Sequence, residues 1–237
     1  MRINHNIASM VAQGSGRQQA KILQSSLEKL STGLRINRAS DDAAGLSVSE
    51  SLRAQVRGLD QARSNAGDGI ALLQIAEGAA NEISAILQRM RELAIQSAND
   101  TLTSRERGYT NNEFQQLMTE ISRITSSTQY NGMTLLDGGR NSFGSQTGAS
   151  VLHIGANNNN NNPNGTIDSL QVSLNSVTIG ALGMTLSAGA GGELSTAITG
   201  QVAAFNAIEV LDVAIQSVNN MRSDVGAYVN RLEHAIA

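Results

Sequence analysis

The chain has 237 residues, enough for one large domain or two small ones, with 3% aromatics, one Pro, and no Cys or Trp. Lack of Cys excludes disulfides and thiolate chemistry. A net charge of −3, from 17 basic and 20 acidic residues with no basic run, leaves no electrostatic footprint for nucleic acid. Aromatics normally supply much of a globular core, so burial must come from Leu, Ile, Val, Met and Ala, which pack well between parallel rods.

Ile3, Ile7 and Met10 open a helical stripe that Gly14 and Gly16 interrupt. Neither a cleavable signal peptide nor a continuous apolar run of about 18 residues is present. Leu23, Leu27, Leu30 and Leu34 recur at three- and four-residue intervals, one face of a helix. Gly33 and residues 37–40 break the stripe, and Ser40-Asp41-Asp42 carries the chemistry of a helix start, oxygens for unpaired backbone N–H groups and charge for the dipole. With no facing helix in the sequence, the segment before residue 40 is expected to be poorly formed, exchanging fast before Asp41.

The next helix is expected over residues 43–98. Leu72, Ala76, Ala79, Ile83, Ile86, Met90 and Leu93 alternate spacings of four and three, a coiled-coil seam. Leu73, Ala80, Leu87 and Ala94 form a second stripe, so more than one partner helix is expected. Gly58, Gly67, Gly69 and Gly78 lie inside the pattern. They permit a bend near residues 65–69, but close approach of a neighbouring helix is the preferred reading. Thr103 with Glu106 has the spacing of a capping box, as does Thr110 with Glu113. A helix over 104–128, with Phe114, Leu117, Ile121 and Ile124 on one face, should fold back antiparallel across so short a link.

From Tyr130 the texture changes. Asn131-Gly132 and Asp137-Gly138-Gly139 are turn signals. Residues 151–154, 167–174 and 182–186 read as short strands, and the Asn tract 157–162 as an exposed loop. Helix returns near Leu194, with Ile208, Leu211, Ile215, Val218, Val225, Val229, Leu232 and Ile236 in rhythm. Arg222 falls on that seam, with Met221 beside it.

The expected fold is therefore mainly α, an elongated antiparallel helical bundle or coiled coil with a small β-rich middle. The expected divisions are 1–40, a rod from 41–130 and 195–237, and a middle from 131–194. Its core is assigned to Leu72, Ile83, Ile86, Met90, Leu93, Ile121, Ile208, Leu211, Ile215, Val225 and Leu232. No catalytic, cofactor-binding or metal-binding residue is assigned, and no cofactor is expected. Adjacent Asp41 and Asp42 do not converge on a helix, and His5, His153 and His234 lie far apart. No G-x-S-x-G elbow occurs, and Gly67-Asp68-Gly69 lacks the Lys-Ser/Thr of a phosphate loop. The glycosylation pattern at Asn164-Gly165-Thr166 is read as accidental.

Several words of this sequence resemble bacterial flagellin. They include the opening Met1-Arg2-Ile3-Asn4-His5-Asn6, the stretch 30–50, the run 86–100 (Ile-Leu-Gln-Arg-Met-Arg-Glu-Leu-Ala-Ile-Gln-Ser-Ala-Asn-Asp), 129–138, 153–157 and 226–234. The resemblance covers roughly 1–155 and 200–237. It implies a structural, non-enzymatic filament subunit for motility, exported unfolded through the flagellar secretion channel. The filament would be extracellular, or periplasmic in some lineages. Implied partners are further copies of itself, the flagellar cap and hook-junction proteins, and an export chaperone. No nucleic acid or membrane partner is implied. Members of the family continue past this point into a terminal helix. By that resemblance the chaperone's usual C-terminal site is missing here, and this exact chain should not build long filaments. Arg89, Leu93 and Glu113 match the positions where the family meets an animal Toll-like receptor. The alternative is a hook–filament junction protein or another coiled-coil adaptor, which would share the terminal helices.

Overall fold

The apolar spacing is realised as helix along most of the chain. The structure is a computed structural model describing residues 6–138, 143, 150–157, 168–184 and 197–237. Its elements are α1 (Ile7–Thr32), α2 (Ala43–Ala98), α3 (Ser104–Ser127), β1 (Gln129–Tyr130), β2 (Met133–Thr134), β3 (Ser150–His153), β4 (Ser169–Val172) and α4 (Gln201–Ile236). They divide into two compact units, Met1–Arg57 and Gly58–Ala237.

In the first unit α1 is helical straight through Gly14 and Gly16, against the expectation of a poorly formed segment. Its ends are well terminated. Asn6 Oδ1 accepts the Ser9 N–H, and Gly33, at φ 69°, closes the other end by donating to the Lys29 carbonyl. No residue of α1 is buried, so Leu23, Leu27 and Leu30 form an exposed stripe. The turn that follows is knit by Arg38–Glu28 at 2.9 Å and by Asn37 Nδ2 donating to Thr32 Oγ1 at 2.7 Å.

The two adjacent carboxylates divide the work assigned to them jointly. Asp41 accepts the N–H groups of Asn37 and Arg38, each at 3.3 Å, while Asp42 Oδ1 caps α2 through the Gly45 N–H at 2.9 Å. Those two backbone donors, then Lys29 and Arg38, hold the Asp41 carboxyl below its ordinary range. A depressed folded-state pKa stabilises the turn above the unfolded value of about 4. That contribution is lost as pH falls through the lower folded value. Acid titration followed by the Asn37 and Arg38 amide signals should therefore show a transition below about pH 4. Asp41→Asn should abolish it.

The second unit holds the core. Along α2, Leu72, Leu73, Ala76, Ala80, Ile83, Leu87, Met90, Leu93 and Ala94 are buried, both stripes together, because one face must serve two partner helices. Phe114, Met118 and Ile121 come from α3. From α4 come Ala204, Ala207, Leu211, Ala214, Val218, Met221, Val225 and Leu232. Cross-links fix the antiparallel sense. Arg89 meets Glu113 and Ser97 meets Thr110 across α2–α3, and Arg91 meets Asp212 while Gln201 donates to the Ala98 carbonyl across α2–α4.

Three residues assigned to the core, Ile86, Ile208 and Ile215, are only half-buried at its flanks. One buried line of α4 runs a position off the expected seam, through Ala207, Ala214 and Met221. Met221 is thus a core residue. Arg222 lies half-buried beside it, and its Nε has no hydrogen-bond partner among the described residues.

A window of α2 is long and apolar enough, by composition alone, to cross a bilayer, although no continuous apolar run exists. Ile, Leu and Ala, with few charges among them, keep the average high. That window belongs to the helix whose Leu72–Ile83 face lies in the core.

β1 and β2 pair in the register Gln129↔Thr134 and Tyr130↔Met133. Asn131 at φ 50° and Gly132 at φ 78° supply the two positive φ angles of the tight hairpin turn. β3 pairs antiparallel with β4, from Ser150↔Val172 to His153↔Ser169. The strand expected over 182–186 is not seen at 182–184, where a turn buries Leu182 and Met184; residues 185–186 lie outside the described residues. The Asn tract also falls outside, apart from Asn157, and so do Leu194 and the sequon. α4 begins at Gln201 rather than near Leu194, preceded by non-helical residues 197–200.

The long helix runs unbroken past residues 65–69. A Cβ on Gly69 would stand 2.8 Å from Leu152 Cδ1, and one on Gly58 would stand 3.0 Å from the Ala156 Cβ. At these two glycines the close neighbour is the β3 segment, more than a helix. Gly67 and Gly78 face open space. Gly67→Ala and Gly78→Ala should each therefore stabilise by up to ~1 kcal/mol, the intrinsic helix preference. Gly58→Ala should fall short of that gain in the same urea titrations, because the Ala156 backbone has to yield.

Candidate functional site

The face shared by α2 and α3 is set by the turn between them. Thr103 and Glu106 form the expected capping box, in which the Thr103 hydroxyl accepts the Glu106 N–H and Glu106 Oε2 accepts the Thr103 N–H at 2.7 Å. The Glu106 carboxyl is lowered chiefly by that backbone N–H. Arg107 folds back to donate to the carbonyls of Ser97 and Asn99, each at 3.0 Å, closing the exposed end of α2. Thr110 does not cap a helix. It lies inside α3, and its hydroxyl donates to the Arg107 carbonyl and meets Ser97 Oγ.

This geometry brings Arg89 opposite Glu113. Arg89 Nη2 and Nε both reach Glu113 Oε1, at 2.8 and 3.1 Å, and Nη1 donates to Glu92 at 3.0 Å. These hydrogen bonds, Glu113 first, raise the Arg89 pKa. The side chains of Arg89 and Glu113 remain 51% and 47% exposed. Leu93 is only 2% exposed. The structure therefore places the charged pair on the surface and Leu93 beneath it, in the core.

Sequence reasoning missed a polar joint nearby. Ser97, fully buried, donates to the Ile198 carbonyl at 2.8 Å, and Asn111 Oδ1 accepts the Ile198 N–H at 3.0 Å. Both backbone groups of a buried residue are thus satisfied by side chains of α2 and α3, where the middle segment returns to the bundle. The one available signal was Ser97 itself, a polar residue at a seam position one turn beyond Leu93 and Ala94. No period could name its partner 101 residues away.

His153 offers its carbonyl to Asn65 Nδ2 at 3.1 Å, His234 sits exposed in the last turn of α4, and His5 lies outside the described residues. Among the described residues, no three His, Asp or Glu side chains converge as metal ligands would. What the surface offers is ion pairs and apolar stripes, the means of protein contact.

Comparison with known proteins decides the kind of contact. The pattern of the bacterial flagellin N-terminal helical region matches residues 3–141. The flagellin of Halalkalibacterium halodurans is 43% identical over 236 residues, covering 100% of this chain and 79% of that protein. The chain belongs to the bacterial flagellin family. Among solved structures, the crystal structure of Bacillus cereus flagellin superposes with a TM-score of 0.58 at 26% identity, covering 73% of this chain and 87% of that one. A hook-associated protein structure from Vibrio parahaemolyticus gives a TM-score of 0.60 at 16% identity, covering 84% and 92%. At that identity the likeness shows the fold alone, and the fold alone does not separate the two roles. Sequence relatedness does, and it makes this flagellin a structural subunit of the flagellar filament, not an enzyme.

Proposed function

We propose that this flagellin joins a growing filament outside the cytoplasmic membrane, extracellular or periplasmic, after export through the flagellar channel. It would contact cap and hook-junction proteins there, with a chaperone holding it beforehand. The observation that carries this reading is the arrangement of its exposed apolar residues. They are not scattered but recur at helical spacing, as Leu23–Leu27–Leu30 on α1 and Val48–Leu52–Val56–Leu59 on α2. Ordered apolar stripes left in water mark association surfaces, and contacts that do not close into a ring build filaments. Labelled chain added to sheared filaments of a related flagellin should be incorporated at their ends and sediment with them. Labelled chain that stays in the supernatant with such seeds present would remove the filament reading.

A host Toll-like receptor is the finer partner in this proposal, reading the exposed Arg89–Glu113 pair. Leu93 would act from below, packing against the bundle so that Arg89 stays in place. Arg anchors contribute disproportionately to interfaces, so Arg89→Ala should weaken receptor signalling by about tenfold or more. Leu93→Ala should weaken it only together with a lowered melting temperature. Unchanged signalling by a folded Arg89→Ala chain would remove this receptor contact from the proposal.

A further inference from the structure

We infer that the groove along the first turns of α2 receives the Ile95–Phe205 patch of a second copy, in a head-to-tail contact. This rests on the filament reading and names the surfaces that serve it. The groove is open and apolar, about 520 Å³ in volume, lined by Val48, Leu52 and Val56 with Arg53 and Arg57 along its edge. All three apolar residues are exposed.

The patch is placed by two bonds across the α2–α4 seam. Arg91 meets Asp212 at 2.6 Å, and Gln201 Nε2 donates to the Ala98 carbonyl at 3.3 Å. Ile95 lies between Arg91 and Ala98 along α2, and Phe205 lies between Gln201 and Asp212 along α4. The antiparallel register therefore puts both at the same height. Val202, three residues before Phe205, extends the same surface. Ile95, Val202 and Phe205 are all exposed, and Phe205 keeps 56% of its surface in water.

Charge selects the pairing. Arg57 stands next to Val56, and Glu209 stands one turn beyond Phe205; neither makes an ion pair among the described residues. A symmetric groove-to-groove contact would set Arg57 against Arg57, and a patch-to-patch contact Glu209 against Glu209. Both are repulsive, whereas groove-to-patch sets Arg57 against Glu209. A contact between two different surfaces of the same chain repeats without closing, which is the geometry a filament needs.

The chain contains no Cys, so single cysteines can be placed without background. Val56→Cys and Phe205→Cys chains, mixed under seeded assembly and treated with a short bismaleimide, should give a linked dimer. Neither variant alone should do so, and the double variant should give linked dimers without a partner variant. Arg57→Glu or Glu209→Arg should each reduce the linked yield about two- to fivefold. Combining one reversal on the groove chain with the other on the patch chain should restore it, with unchanged circular dichroism melts confirming the fold. Links between two Val56→Cys chains, or links confined within single double-variant chains, would overturn the inference. If the chain sediments with the seeds but gives no Val56–Phe205 link, this contact falls while the filament reading stands. Neither sedimentation nor linkage would sink both.

Discussion

Ile83→Asp and Leu211→Asp are each expected to unfold the helical bundle or lower its melting temperature severely. Both side chains are fully buried where α2 faces its partners. Removing either forfeits ~1.5–3 kcal/mol of apolar burial, and a carboxylate placed there must be desolvated or protonated. Together these costs reach roughly 4 kcal/mol or more, a large share of the ~5–15 kcal/mol that holds a typical domain. Ile215→Asp should cost less, because Ile215 is half-buried and its carboxylate can turn to water. Gln88→Ala, on the exposed side of α2, should stay within about 0.5 kcal/mol of the parent. Thermal melts that rank these four variants equally would refute the core face assigned to the two helices.

Ser97→Ala combined with Asn111→Ala should loosen the joint where the middle segment rejoins the bundle. The double variant leaves the Ile198 carbonyl and N–H without the partners that satisfy them, around a side chain that is 0% exposed. Each orphaned buried group costs about 1–3 kcal/mol. Hydrogen exchange should localise the effect, with faster exchange at Ile198 and through the first turn of α4, while the Leu72–Met90 stretch of α2 keeps its protection. Urea unfolding should show a total loss of roughly 2–6 kcal/mol if the two sites act independently. Exchange at Ile198 identical to the parent would mean that the joint is held by packing rather than by these bonds.

Much of this architecture is a matter of local order, and local order is legible in sequence. The bounds of α2, the capping box at Thr103 and Glu106, the tight turn at Asn131-Gly132 and the two apolar stripes all depend on residues within a few positions of each other. Helical period, cap chemistry and φ preference act over that range. The family, too, was readable in words such as 86–100, which run through the last turns of α2. What the tertiary structure decided depends on partners distant in sequence. A three-and-four rhythm cannot say which of two adjacent lines on α4 faces inward, since both satisfy the period. Burial of Ala207, Ala214 and Met221 settled it, and Ile208 and Ile215 moved to the flank. Gly58 and Gly69 needed the β3 segment beside them before their smallness had a reason, and Asp41 needed the turn to close before its task differed from that of Asp42. Leu93 carried two readings, core by its seam position and receptor contact by the resemblance, and its burial beneath Arg89 and Glu113 separates it from that exposed pair. A motif records which residues occur together, whereas exposure is decided only when another helix covers one of them.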